Sequence, residues 1–249
     1  MRAVIITQDE PFATPVLLDE LLGRRADAIV QVFIAPPTSK RESFGGLMKR
    51  WWAAFGPITF VRYGASYVMA KLLGHGPAKV ARRHHVPVAD APDVNAPEFL
   101  ERLTELGTEM IISVACPQIF RRRLLKLPPR GCINVHSGPL PRYRGQLPTF
   151  WVLYNRERET AVTVHYMNKD IDDGPIILQR IVPIGPRESQ AGLMRRCKQV
   201  GGELLAEVLD LLERDAITPL PNPREQATYF TFPTAHEAAE FRHRGGRWL

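Results

Sequence analysis

Gly131-Cys132-Ile133-Asn134-Val135-His136 is the stretch on which the reading of this chain turns. It reads as a buried strand that carries an amide and an imidazole to its end. Residues two apart in a strand point to the same side, so Asn134 and His136 share one face. In open parallel sheets ligands sit beyond the carboxyl ends of the strands, where this pair would lie. Just upstream, Met110 to Ala115 is apolar apart from Ser113, as expected of a strand covered on both faces.

Working outward, strand-length apolar runs alternate with longer helical stretches, the rhythm of an α/β domain. Strands are expected at Val4–Thr7, Ala28–Ile34 and Val86–Ala89, and helices at Phe12–Leu22, Pro97–Leu106 and Ile119–Leu127. After Gly145 a helix is expected from Leu147 to Tyr154. Thr160 to Met167 alternates and is rich in β-branched residues, so it reads as a strand. Ile176 to Ile184 pairs with it through the turn at Asp170–Pro175, which gives an antiparallel or mixed edge. Gln190 to Leu212 is a long amphipathic helix.

Two regions break this rhythm. Pro36 to Pro77 mixes cations, including Lys40, Arg41 and Arg62, with aromatics such as Trp51, Trp52 and Tyr63. It reads as an insertion of one or two helices, with its aromatic face packed on the domain or against another subunit. Nucleic acid and an acidic membrane are rival partners for it. The tail, 217–249, reads as an extension of a catalytic domain spanning 1–216.

The chain has 249 residues, 45% of them hydrophobic, enough for one large domain. Its three cysteines, Cys116, Cys132 and Cys197, form neither a disulfide framework nor a metal-ligand spacing. No bound metal is expected. The first apolar run is too short for a signal segment, and no run is long enough to span a bilayer. A cytoplasmic protein is expected. The net charge of +7 favours polyanionic partners without naming one.

Two more segments accompany the Asn-X-His strand. Leu140-Pro141-Arg142-Tyr143-Arg144-Gly145 is a loop stiffened by proline and released by glycine. Asp170-Ile171-Asp172-Asp173-Gly174-Pro175 is an acidic turn. In this order and spacing the three segments resemble the folate-dependent formyltransferases, the family of glycinamide ribonucleotide and methionyl-tRNA formyltransferases. The resemblance covers roughly Glu109 to Gln190. It implies a Rossmann-like, mostly parallel twisted sheet flanked by helices. It implies 10-formyltetrahydrofolate as formyl donor and Asn134, His136 and Asp172 as catalytic residues. Asp173 stands where the family has glycine; spacing to Gly174-Pro175 favours Asp172 as the working carboxylate. The loop Cys116-Pro117-Gln118-Ile119-Phe120 and the turn residues Asp170, Ile171, Asp173 and Gly174 are the implied folate contacts.

The turn after the first strand bears on the acceptor. Glycinamide ribonucleotide enzymes place a glycine-rich phosphate cradle there. This chain has Gln8, Asp9 and Glu10 instead, and acids repel phosphate. Gln8, Asp9, Arg142, Tyr143 and Arg144 are the candidate acceptor contacts. The expected acceptor is a small amine such as a nucleotide-linked amino sugar. Charged tRNA ranks second, and a formyltetrahydrofolate hydrolase third. A homodimer is compatible with the insertion.

Overall fold

A computed structural model describes residues 1–36 and 44–249. Lys40 and Arg41 of the expected insertion lie outside the described residues. Seven strands form the main sheet: β1 (Ala3–Gln8), β2 (Ile29–Ala35), β3 (Val88–Asp90), β4 (Met110–Val114), β5 (Cys132–His136), β7 (Glu159–Tyr166) and β8 (Ile176–Pro183). Their order is β3-β2-β1-β4-β5-β7-β8. The first five run parallel; β7 and β8 close the edge antiparallel. Parallel neighbours need crossovers, and helices supply them. β6 (Arg144–Gly145) pairs with β9 (Tyr229–Phe230) in a separate ribbon.

The two-residue side-chain period splits each strand between two cores. Ala3 and Ile5 of β1 join one core, with the helices α1 (Thr14–Arg25) and α8 (Gln190–Glu213). Val4 and Ile6 join the other, with α5 (Pro97–Glu105) and Leu124 of the short α6 (Arg122–Leu125). On β5, Ile133 and Val135 enter the first core and Cys132 the second. Asn134 and His136 have the parity of Cys132, so they point to the second side, beyond its apolar part.

The helix expected over Ile119–Leu127 shrinks to α6, because the residues before it are tied down in extended form. Gln118 is bonded to the backbone of Pro92 and Val94, and Asn95 to that of Ile119 and Arg121. The insertion forms α2 (Phe44–Phe55) and α3 (Pro57–Leu72), followed by α4 (Pro77–Arg83). Its aromatic face does pack on the domain. Trp51 stacks on Tyr63 and meets Phe232, while Phe55 meets Trp248. The tail is woven into the body. Leu220 bridges to Ile176, and Phe241 of α9 (Ala235–His243) joins Phe150 and Trp248 in the first core. α7 (Pro148–Tyr154) carries Phe150.

α8 crosses α1 at a glycine pair, Gly201-Gly202. A Cβ on Gly202 would lie 2.6 Å from the Leu17 carbonyl oxygen. Alanine gains up to about 1 kcal/mol in helix propensity. Overpacking against backbone costs about 1–3 kcal/mol and outweighs that gain. Gly202→Ala should therefore lower the urea midpoint; an unchanged or higher midpoint would show that the helices can separate freely.

Candidate active site

β5 ends beside β7 in antiparallel register, with Asn134 opposite His165 and His136 opposite Thr163. That register brings a second histidine to the pair read from the sequence. The turn after β7 returns Asp172 to the same place. Asp172 Oδ1 lies 3.4 Å from Asn134 Nδ2 and 3.5 Å from His165 Nε2. Its Oδ2 lies 3.5 Å from His136 Nδ1 and accepts the Gly145 N–H at 2.8 Å. The amide, both rings and the carboxylate thus converge.

Backbone geometry makes this possible. Asp172 takes a left-handed φ of +51°, which Asp tolerates better than most residues. Gly145 has φ +97°, and a Cβ there would fall 2.1 Å from the Phe230 carbonyl oxygen. Only glycine lets β6 run against β9 and present its N–H to Asp172. Asn222, from the tail, donates its amide to the carbonyls of Asp172 (2.9 Å) and Gly174 (3.0 Å).

The hydrogen bonds set the proton positions. A carbonyl only accepts, so His136 Nε2 donates to Tyr143 O at 2.8 Å and Nδ1 is the site left facing Asp172. By the same logic His165 Nδ1 donates to Tyr166 O at 2.8 Å, and its Nε2 accepts from Asn134 Nδ2 at 3.2 Å. The Asn134 amide therefore has one well-placed acceptor, His165, and one long contact, Asp172.

Burial pushes His136 below its ordinary value of 6.5; Asp172 pulls it partly back, while His165 and Lys198 add to the lowering. For Asp172, burial alone would raise the carboxyl, but His136, His165 and the Gly145 N–H outweigh it, and the net direction is down. A neutral His136 supplies less of that pull. The Gly145 N–H favours the ionised carboxylate in either form of the ring. An ionised Asp172 beside a His136 ready to accept a proton at Nδ1 is the resting arrangement.

Place separates the two aspartates. Asp173 turns away and binds Arg144 and Arg224, and Asp170 also meets Arg224. Arg224 foremost brings Asp173 down to about 2. Arg144, read as an acceptor contact, is buried, with its guanidinium spent on Asp173 and Asn222. Arg142 and the Tyr143 hydroxyl both meet Glu157. Asp9 pairs with Lys71. The Glu10 carboxylate accepts the N–H groups of Phe12, Ala13 and Thr14 at 2.7–2.8 Å. It fills the N-terminus of α1 with the protein's own anion, where a phosphate would otherwise bind.

The loop read as a folate contact is divided. Phe120 is core, Gln118 is spent on its neighbours, and Ile119 is exposed. Burial pushes Cys116 up to about 11, which leaves it a wall rather than a nucleophile. On the other loop Ile171 is exposed and Gly174 passes close to the Tyr166 carbonyl. His165, Asn222 and Arg224 went unread in the sequence. The register opposite Asn134 is the one signal that could have singled out His165.

NMR titration should place His136 below 6.5, and Asp172→Asn should move it further down, because the carboxylate opposes the effect of burial. An upward move on Asp172→Asn would contradict this geometry. The unfolded chain then binds this proton more readily than the fold. The contribution of His136 to stability is thus present above pH 6.5 and is lost as pH falls through and below it.

The family profile described as Formyl transferase matches residues 67–209, more than half of the chain. Methionyl-tRNA formyltransferase of Trichlorobacter lovleyi is 41% identical over 151 residues, 61% of this chain and 48% of that protein. Its counterpart in Citrifermentans bemidjiense is 43% identical over 140 residues, covering 56% and 44%. The chain spans about half the length of the curated relatives it matches. A sugar N-formyltransferase from Shewanella sp. superposes with a TM-score of 0.60 at 21% identity, covering 98% of this chain and 79% of that one. A phosphoribosylglycinamide formyltransferase from Anaplasma phagocytophilum gives 0.64 at 14% identity, covering 94% and 99%. At such identities the solved structures show a shared fold. Taken with the profile match, they place this chain in the formyl transferase family.

Proposed function

We propose that this protein transfers a formyl group from 10-formyltetrahydrofolate to an amine, with Asn134, His136 and Asp172 as its catalytic residues. The observation that carries the reading is the convergence of Asn134 and His136 on the Asp172 carboxylate, at 3.4 and 3.5 Å. The donor set suits a carbonyl that gains negative charge. The exposed Ile119 and Ile171, one on each implied folate loop, offer apolar surface of the kind a flat heterocycle rests on. The donor supplies the formyl carbon that the amine attacks.

The chain's own groups divide the work. The Asn134 N–H that makes only the long contact to Asp172 is free to turn toward the developing oxyanion. His136 Nδ1, unprotonated at rest, takes a proton from the acceptor's ammonium as the free amine forms and holds it beside that oxygen, and Asp172 stabilises the charged ring. Asp172 also orients both histidines and provides the basic site through which the amine proton moves toward the leaving nitrogen. His165 is a positioning residue, since it reaches the reacting region through Asn134.

For the acceptor, the curated relatives lend more weight to the aminoacyl end of a charged tRNA, which ranks second from the sequence. One observation speaks against glycinamide ribonucleotide as the acceptor. The loop after β1 carries Asp9 and Glu10, with Glu10 already seated at the α1 N-terminus. A donor-turnover assay against charged tRNA, nucleotide amino sugars, glycinamide ribonucleotide and amino acids separates them. Formate release without an acceptor would instead favour the hydrolase. With the accepted amine, Asn134→Ala should cost roughly 10²–10³ in rate. His136→Ala should abolish turnover while folate binding persists. Full turnover in either variant would remove the assignment.

A further inference from the structure

An exposed helix should turn a polar face to water, and the outer face of α3 is largely aliphatic. Its inner side carries Tyr63 and Tyr67, turned onto Phe12. Its outer side carries Ile58, Val61, Val68, Met69 and Leu72, all exposed; Ile58 and Leu72 each stand 77% in the open. These positions recur at intervals of three and four, so they form one stripe along the whole helix. Ala65 fills the gap in it and is exposed too. A stripe this apolar is normally buried, and none of these side chains is covered.

The segment that carries the stripe has charge of a single sign. Between Glu42 and Asp90 the sequence has no acidic residue and seven Lys or Arg. That segment alone matches the net +7 of the whole chain, so the remaining residues balance. Lys71 and Arg83 are answered by Asp9 and Asp19 from neighbouring elements. Lys49, Arg62, Lys79 and Arg82 are exposed. Half-exposed Trp52, on α2, touches Phe60 at the start of α3.

We infer that α3 seats this protein on the surface of an anionic lipid bilayer, with the aliphatic stripe at the acyl boundary and the cations among the headgroups. An aliphatic stripe flanked by exposed cations, on a segment without acidic residues, is the composition of an interfacial helix. At 16 residues α3 is about 24 Å long, and no described helix is long and apolar enough to cross a membrane. It lies on the bilayer. Nucleic acid would satisfy the cations but not the aliphatics, since bases stack on aromatic faces and Tyr63 and Tyr67 point inward. A second copy joined through α3 would bring two acid-free basic segments together. The inner face of the same helix packs on the loop after β1, on the expected acceptor side. The bilayer seat is independent of which amine is formylated.

The test is co-sedimentation of the full chain with phosphatidylcholine vesicles, with and without phosphatidylglycerol, at low and high salt. Binding is expected only with phosphatidylglycerol and should weaken with salt. Val68→Glu with Leu72→Glu should weaken it roughly tenfold or more, and Lys49→Gln with Arg62→Gln should reduce it and its salt dependence. Far-UV circular dichroism and donor turnover should stay unchanged in both variants. Three results would overturn the inference: no binding to anionic vesicles, equal binding by the Val68/Leu72 variant, or a solution dimer that Leu72→Glu dissociates. Competition by tRNA for the stripe, abolished by Val68→Glu, would likewise assign the face to another occupant.

Discussion

The rest of the site depends on keeping one carboxylate charged in a nearly enclosed place. The Asp172 side chain is only 9% exposed, so water does little for it. An uncompensated buried charge is costly, and the fold answers with polar groups from separate segments. β5 brings the Asn134 amide, β6 a backbone N–H, and two strands bring the histidine rings. Each of these groups is held by something else: Asn134 by His165, His136 by the Tyr143 carbonyl, Gly145 by the β6–β9 ribbon. The site is therefore a consequence of sheet register and cannot be assembled piecemeal.

Register also explains how much of the molecule is legible in its sequence. Parallel strands buried on both faces announce themselves as short apolar runs, and β1, β2, β4 and β5 fall where those runs lie. Asn134 and His136 were legible because two-residue spacing at a strand end fixes a common face. Spacing favours Asp172 over Asp173, but the different partners of the two carboxylates are not legible. Both sit in one acidic turn, and only the left-handed backbone at Asp172 sends the two side chains to different partners. His165 stayed hidden because it is one polar residue in an alternating strand, and its meaning comes from the residue opposite. Asn222 and Arg224 lie in a proline-rich stretch without period, where sequence offers no direction at all.

Arg144 has partners within the chain that its sequence context does not announce. A basic residue in a loop after a strand bearing Asn-X-His reads as an anion contact. Here the aspartate that replaces the family's glycine is its partner, and the pair is buried beside the site. The substitution in the turn and the arginine in the loop are thus one feature. It ties the acidic turn to the tail, since Asn222 and Arg224 complete the cluster. The tail consequently belongs to the machinery that positions Asp172.

A crystal structure with a non-transferable formyl-folate analogue measures the central claim most directly. The formyl oxygen is predicted to lie within hydrogen-bond reach of Asn134 Nδ2 and His136 Nδ1, with the analogue's ring between the two loops and Asp172 still on the Gly145 N–H. An analogue bound elsewhere, or an Asp172 swung out to solvent when it binds, would contradict that claim.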